Sequence, residues 1–426
     1  MSATKLLMVG GAGPSDLSID ACRRAMTAAK NLGFEITVTF SDIESPEAQA
    51  VCDLADHVVA VSLADTAERR RYINDLEEPY QVVFGVRDAM QLAVAEIAEA
   101  LQARGNPVES VHRAIHKDLC RAALSSAGLT QPRFQLCSSL EEAELFVTRE
   151  SGPVIIKPRA GTASIGVSLV NGPEELPAAI ELLPEPDSHF IAESYVNGEE
   201  FSIEGYFLQG EPVYLACTAK RTLSSSCFVE VGHVVPAPYG PAERSKIEDS
   251  TTRALEALDL SFGVFHIEGW IEEGEVTLGE IHTRVGGDWI HLMAEYASGV
   301  DYFSEVFADA VGSAVPKEKL SPPRQTAAIY LTPPPGEIVA IEGWPVVLDE
   351  PGVLHAELSV TSGGSIRRYQ SSRDRIGVIV GTAAGEASEV EEYVRMLSRT
   401  VQFTMADGSV FDGLGTLLER NERWRS

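Results

Sequence analysis

Three short stretches carry the residue types that phosphoryl and carboxylate chemistry needs. Val154-Ile155-Ile156-Lys157-Pro158 ends an apolar run on a lysine, and Arg159-Ala160-Gly161-Thr162-Ala163-Ser164-Ile165-Gly166-Val167 follows as a loop of small and hydroxyl-bearing residues. Such a loop lets backbone N–H groups approach phosphate oxygens that bulky side chains would fend off. The lysine adds a point charge beside it. The spacing is not that of the GxxxxGK[ST] phosphate loop, and a Gly/Ser/Thr hairpin beside a lysine is also an ordinary turn. In the second stretch, Ala192 to Glu204, an apolar strand bends at Asn197-Gly198 and a second strand follows. Backbone groups at such a bend can read an adenine edge, and a carboxylate a few residues on can accept from ribose hydroxyls; two strands around a bend look much the same without a ligand. The third stretch sets His266-Ile267-Glu268 on one strand and Glu280-Ile281-His282-Thr283-Arg284-Val285-Gly286-Gly287-Asp288 on the next, across the turn Glu272-Glu273-Gly274. Period-two alternation puts Glu280, His282 and Arg284 on one face, with Ile281 and Thr283 on the other. Carboxylates suit Mg2+, which prefers oxygen ligands and shares them with phosphates. Arginine suits a transferring phosphoryl group or an oxyanion. A solvated Glu/Arg ladder would show the same alternation.

The elements that must position these residues follow from the rest of the chain. At 426 residues it is long enough for two to four domains of roughly 100–200 residues each. From Lys5 to about Pro107, short apolar runs (Leu6–Val9, Glu35–Phe40, His57–Val61, Gln81–Phe84) alternate with helical stretches such as Ile19–Leu32 and Met90–Arg104. That alternation implies a parallel α/β domain. Gly10-Gly11-Ala12-Gly13-Pro14 lacks the GxGxxG spacing of a dinucleotide site and reads as a strand-to-helix turn. A helical segment from about Ser110 to Ala127 follows, ended by Gly128 as a C′ residue. The middle of the chain is rich in hairpins, among them Glu200–Leu208 and Pro212–Thr218 joined across Gln209-Gly210. Beyond Ser321–Gly336 come short apolar runs and a helix-like Ala387–Arg399, a small β-rich terminal part.

Composition narrows the partners. Sixty-three acidic against 34 basic residues give a formal charge of −29, which repels a phosphate backbone and argues against nucleic acid. A nucleotide site in so acidic a chain has to supply local positive charge and a divalent metal. No apolar run reaches the roughly 18 residues of a membrane span, and the N-terminus reads as a buried first strand, so a cytoplasmic protein is expected. Six dispersed cysteines without a CxxC pair are expected to be reduced and mostly structural.

Taken in order over residues 110 to 310, these stretches resemble the ATP-grasp superfamily. The fold class implied is α/β and α+β: an N-terminal Rossmann-like α/β domain (1–107), an ATP-grasp domain (108–320) with a central lid subdomain at about 150–208, and a small β-rich C-terminal subdomain (321–426). By the resemblance, Lys117 in His116-Lys117-Asp118 and Lys157 are the triphosphate lysines. Gly161, Thr162, Ala163, Ser164 and Gly166 form the lid over the phosphates, where they also keep water out. Glu193, Ser194, Tyr195 and Val196 are the adenine hinge, and Glu200 is the ribose ligand. Glu268 and Glu280 are the metal ligands, and Arg284 is the arginine that meets the transferred phosphate. One departure stands out: where many members have asparagine two residues after the second acidic ligand, this chain has His282. Imidazole is a poorer Mg2+ ligand than an amide oxygen. Either the two glutamates and water complete the shell, the preferred expectation, or His282 faces the substrate.

Within the superfamily, Phe228-Val229-Glu230-Val231-Gly232-His233-Val234-Val235-Pro236 and the later EIHTRVGGD run are similar to bilobed carboxylate-amine ligases, in particular the bacterial L-amino-acid ligases that make dipeptides of the bacilysin type. The resemblance implies that Glu230 and His233 lie by an amino-acid pocket and Gly286 and Gly287 near an acyl phosphate. Lys220-Arg221, ahead of Ser224-Ser225-Ser226, can reach phosphate or substrate, or belong to a solvated loop. The expected activity is ATP-dependent amide or peptide bond formation through an acyl phosphate, with Mg2+ (or Mn2+) and small carboxylate and amine substrates such as amino acids. A homodimer is a family-level expectation. The rivals are a bicarbonate- or purine-pathway ATP-grasp ligase and a non-catalytic ATP-binding regulator.

Overall fold

The computed structural model describes residues 4–418 apart from 77–78, 187, 224–227 and 315–316. The chain gathers into two compact units, each built from three stretches: Met1–Gln131, Ser202–Cys217 and Tyr239–Ser321 in the first; Pro132–Phe201, Thr218–Pro238 and Pro322–Ser426 in the second. The strands Glu199–Leu208 and Glu211–Thr222 are divided between them.

The first unit opens with a parallel sheet in the order His57–Ala60, Phe34–Phe40, Thr4–Met8, Val82–Phe84. Alternation along the first strand sends Leu6 and Met8 into a core with Met26, Ile36 and Val38, and Leu7 and Val9 into another with Val83 and Ile97. Both faces are therefore covered, as parallel sheets require. Ser15 and Asp65 cap the helices Asp16–Asn31 and Thr66–Asp75 by accepting from Ser18 and Glu68 backbone N–H groups. The stretch expected as one helix from Met90 is instead the 3-10 turn Asp88–Met90 and the helix Gln91–Ala100. Gly11 has a φ of 44°, and a Cβ there would lie 2.2 Å from the Phe40 ring, so the glycine run serves a tight strand-to-helix turn. Phe303 and Phe307 from the helix Tyr302–Ala310 meet Phe84 edge-on at 6.0 and 5.1 Å. Two hairpin turns lie in this unit, Gln209-Gly210 and Glu273-Gly274, each with positive φ at both residues (55° and 89°, 49° and 79°), the twist that tight hairpins favour.

In the second unit an antiparallel sheet runs in the order Phe134–Cys137, Phe190–Ser194, Val154–Pro158, Ser168–Val170. Its apolar face (Val154, Ile156, Phe190, Ala192) packs on Phe146 and Val147 of the helix Leu140–Arg149. The later strands Glu230–Val235, Thr326–Tyr330, Gly377–Thr382 and Val353–Leu358 pair antiparallel in that order. A further small sheet includes Gly336–Glu342 and Gln402–Met405, with the helix Ala387–Thr400 between them in sequence. Among the described residues no helix is long and apolar enough to cross a membrane, and the described cysteines form no disulfide. Cys227 lies outside the described residues.

Candidate functional site

In the first unit the helical run expected from Ser110 to Ala127 is broken. His116 (φ −91°, ψ 110°) leaves the helical region, ending one helix at Ile115 and starting another at Lys117. The second helix ends as expected: the N–H of Gly128 (φ 72°) bonds to Ser125 O and that of Leu129 to Leu124 O, a Schellman pair. Lys117 thus opens a helix whose buried face includes Cys120, Arg121 and Leu124. Arg121, 1% exposed, donates from Nη1 to the carbonyl oxygens of Leu278 (2.7 Å) and Gly279 (2.8 Å).

Those carbonyls belong to a bulge in the hairpin of Val264–Glu272 and Glu275–His282. Ile267 pairs with Ile281 but Gly269 with Leu278, so Glu268 stands opposite both Gly279 and Glu280. A Cβ at Gly279 would lie 2.8 Å from the Trp270 ring, which makes glycine the residue this close approach allows. Bulges re-aim side chains, and here Glu268, Glu280 and His282 can each bring a ligand atom within 4.8 Å of the others. Lys117 Nζ lies 3.2 Å from Glu280 Oε1, and His282 Nε2 lies 3.4 Å from Glu280 Oε2. Burial pushes the Glu280 carboxyl up, but the Lys117 ammonium and the His282 imidazole outweigh it and hold the group well below the usual carboxylate range. Two carboxylates and an imidazole form a donor set that fits a divalent cation.

His266 lies across the ladder from His282, with the rings stacked at 5.6 Å. Its Nε2 is 3.0 Å from Glu268 Oε1 and its Nδ1 2.9 Å from Glu204 Oε1. Burial would lower the pKa of this imidazole, yet the flanking Glu204 and Glu268 raise it above the ordinary value, which favours a form donating at both nitrogens. Glu204 also accepts from Ser202 Oγ, and its Oε2 would lie 2.9 Å from a Cβ at Gly286. Gly286 is therefore packed, while a Cβ at Gly287 would meet open space.

The strand ends at His282, so strand alternation does not extend to Arg284. Arg284 joins the group by another route. Asp88 Oδ1 lies 3.2 Å from both His282 Nδ1 and Arg284 Nε. Burial pushes the Asp88 carboxyl up, and the His282 hydrogen bond and Arg284 charge more than reverse this, holding it well below the usual range. Sequence reasoning passed over Asp88, and it left His266 and Glu204 without roles. A signal for Asp88 was present: it follows the parallel strand Val82–Phe84 at its carboxyl end, where open α/β sheets gather ligands.

In the second unit Lys157 is buried at the end of its strand and contacts Glu193 Oε1 at 2.5 Å, both side chains about 5–6% exposed. Glu193, expected in an adenine hinge, therefore uses its carboxylate to hold Lys157. The N–H of Ser194 bonds to Arg133 O and that of Tyr195 to Pro153 O, and the Tyr195 side chain is exposed beside Phe228 at 6.3 Å. Val196 follows in the loop. Gly161, Thr162, Ala163, Ser164 and Gly166 lie in the loop after Lys157, with positive φ at Gly161, Gly166 and also at Ala163 (60°) and Ser164 (55°), a conformation that L side chains rarely adopt.

Lys220, 5% exposed, bridges Glu200 Oε1 (3.2 Å) and Glu230 Oε1 (2.9 Å). Along the ladder, Arg221 pairs with Gly232 and Thr222 with Glu230, so Val231 is the extra residue that turns Glu230 onto the side of Lys220. Glu230 Oε2 accepts from Ser372 Oγ (3.0 Å), and Arg375 donates to Glu230 O (3.1 Å) while its guanidinium stacks 3.6 Å over Tyr330. His233 is fully buried, edge-on to Tyr330 at 6.1 Å. Ser224, Ser225 and Ser226 lie outside the described residues.

Comparison with known proteins bears on the domains and the fold. Residues 150–292 match the ATP-grasp domain, and residues 329–406 match the L-amino acid ligase C-terminal domain 2. An uncharacterised protein of Sinorhizobium fredii is 25% identical over 72% of this chain and 64% of its own length. The alanine–anticapsin ligase of Bacillus subtilis is 26% identical over 41% of this chain and 42% of its own. The chain thus spans less than two thirds of these curated relatives. The solved L-amino acid ligase of Bacillus licheniformis superposes with a TM-score of 0.78 at 21% identity, covering 95% of this chain and 99% of that one, and so shares the fold. The chain therefore carries an ATP-grasp domain and an L-amino acid ligase C-terminal domain 2, and it resembles the L-amino acid ligases of the ATP-grasp superfamily.

Proposed function

We propose that the protein is an ATP-dependent carboxylate-amine ligase that joins two amino acids, or an amino acid and a small acid, through an acyl phosphate, releasing ADP and phosphate. The observation that carries this reading is the gathering of Lys117, Glu268, Glu280 and His282, with Arg284 tied in through Asp88. A protein that only bound ATP would not need this phosphoryl-transfer set. Glu268 and Glu280 would hold a divalent metal, Mg2+ or Mn2+, whose charge would help neutralise the triphosphate.

The substrate carboxylate attacks the γ-phosphorus, the bond to the bridging oxygen breaks, and ADP leaves. Lys117 stabilises charge on the triphosphate, and Arg284 stabilises the transferred phosphoryl oxygens. An unprotonated amine then attacks the acyl carbon; phosphate leaves and the ammonium proton is lost to solvent. Lys157 and the hinge Glu193, Ser194, Tyr195 and Val196 hold the nucleotide, with Glu200 toward the ribose. Lys220 keeps Glu200 and Glu230 in place, and Glu230 and His233 line the amino-acid pocket. The loop with Gly161, Thr162, Ala163, Ser164 and Gly166 covers the phosphates and excludes water from the mixed anhydride. Gly286 and Gly287 lie near the acyl phosphate, with the open space at Gly287 and with Gly286 packed against Glu204. The division at 1–107, 108–320 and 321–426, the cytoplasmic setting and a homodimer belong to the same reading.

The match to an L-amino acid ligase C-terminal domain favours amino acids over bicarbonate or a purine precursor as acceptor chemistry. The test is a matrix of amino acids assayed in pairs for phosphate release, with mass spectrometry of the products. ADP formation with bicarbonate and without an amine would replace the reading by a carboxylating one. No ADP formation across the whole acid and amine panel would leave a nucleotide binder.

A further inference from the structure

We propose that His282 is itself a ligand of the divalent metal through Nε2, oriented by Asp88, and that this makes the site select Mn2+ over Mg2+. The proposal rests on the ligase reading for the presence of a metal and departs from both roles expected for His282, a bystander to a water-completed shell or a substrate contact.

The ring has two distinct ends. Nδ1 lies 3.2 Å from the Asp88 carboxylate and Nε2 lies 3.4 Å from Glu280 Oε2. With Nδ1 turned to the Asp88 carboxylate, Nε2 is the end that faces the glutamates, and a cation bound between them would displace any proton there and take its lone pair; carboxylate–histidine–metal relays have this arrangement. Around an octahedral ion with bonds of about 2.1 Å, neighbouring donors lie about 3.0 Å apart and opposite donors about 4.2 Å. The 3.4 Å separation falls within that span, and the whole set of Glu268, Glu280 and His282 lies within 4.8 Å, so a small contraction would close it on an ion. Stacking on His266, itself held between Glu204 and Glu268, supports the ring plane from the side.

Selectivity follows from the donor chemistry. Mg2+ is hard, keeps to oxygen and gives up its waters reluctantly. Mn2+ accepts carboxylate oxygen and also takes imidazole nitrogen more readily than Mg2+ does. Where an amide oxygen would serve either ion, an imidazole shifts the balance toward Mn2+. Asp88 is a positioning residue here, and the same oxygen steadies Arg284, so metal preference and the phosphoryl-binding arginine depend on one carboxylate.

The experiment is pulsed EPR of the full-length protein with Mn2+ and a non-hydrolysable ATP analogue, comparing natural-abundance protein with protein labelled with 15N-histidine. Wild type should show nitrogen modulation that changes isotope with the label, and His282→Asn should abolish it. Calorimetry should show His282→Asn weakening Mn2+ about tenfold or more while moving Mg2+ by less than about threefold, and Asp88→Asn weakening Mn2+ by about tenfold. His282→Gln serves if the asparagine variant fails to fold. Bound Mn2+ without histidine nitrogen coupling, or coupling that survives in a folded His282 variant, overturns the proposal and leaves the ligase reading intact. Wild-type protein that binds no Mn2+ or Mg2+ even with the nucleotide analogue overturns both.

Discussion

The two lysines assigned to the triphosphate stand in contrasting surroundings. Lys157 ends an apolar strand and is buried against Glu193, which lies diagonally across the ladder, so positive and negative charge are matched within the sheet. Lys117 opens a helix and meets a hairpin face and turn where Asp88, Glu204, Glu268 and Glu280 gather with Arg284 and two imidazoles. Four carboxylates there face two permanent cations. A matched, buried pair makes a rigid mount for a ligand, whereas an excess of carboxylate attracts a cation. On the proposed roles of the two lysines, the contrast separates holding a nucleotide from acting on it.

The largest effect expected is at the carboxylate face. Glu280→Ala should cut amine-dependent phosphate release by about a thousandfold, the upper end for a preorganised electrostatic group, with the circular dichroism spectrum retained. Wild-type turnover in that variant would break the comparison outright. Arg284→Ala and Arg284→Lys should each lower the rate by about a hundredfold while ATP affinity, by calorimetry, stays near normal, because lysine keeps the charge and loses the planar fork. A rate within a few-fold of wild type and only a lower melting temperature would mark Arg284 as a structural partner of Asp88. On the other side of the comparison, Lys157→Ala should weaken nucleotide binding roughly tenfold, the scale of one charge-assisted hydrogen bond. Unchanged affinity would remove Lys157 from the nucleotide mount.

Two smaller effects sharpen the contrast. Glu295, on the helix Ile290–Ser298 and 3.2 Å from Arg24, has its carboxyl pushed up from 4.5 to about 7, chiefly by burial. A raised acid binds more protons folded than unfolded, so stability should decline as pH rises from about 4.5 to about 7 and level off above. Glu295→Gln should flatten that slope in chemical denaturation series; an unchanged slope would show that Glu295 ionises freely. Amides of residues 161–166 should exchange quickly without nucleotide and slow severalfold with it, since the loop's small residues pack little and its turns include long bonds such as Ile165 N–H to Thr162 O at 3.4 Å. Equal, strong protection in both states would make the loop a fixed turn.

What could be read in advance was local. Gly128 as a C′ residue and the turns at Gln209-Gly210 and Glu273-Gly274 depend on the dihedrals of one or two residues, which composition signals directly. Glu280 and His282 share a face because a strand alternates. His116 gives no such warning, since histidine breaks no helix by itself, and its dihedrals reflect how the flanking helices pack. The bulge at Gly279 became visible only with the pairing register, and it brings Glu268 beside Glu280. Asp88 meets His282 from 194 positions away, a separation that no periodicity spans. Linear punctuation likewise follows chain order, whereas each unit collects three separate stretches.

That distance between Asp88 and His282 bears on how the protein can be dissected. The region recognisable as an ATP-grasp domain runs from residue 150 to 292, and a fragment cut at those limits would contain Glu268, Glu280, His282 and Arg284 but neither Asp88 nor Lys117. Its histidine would lose the partner that fixes its tautomer, its arginine would lose an anchor, and Glu280 would lose its ammonium neighbour. The recognisable domain is therefore not a transplantable part. Chimeras meant to exchange substrate preference between such proteins have to carry the turn after Val82–Phe84 and the start of the helix Lys117–Ser126 along with the carboxylate hairpin, because these three stretches have to be inherited together.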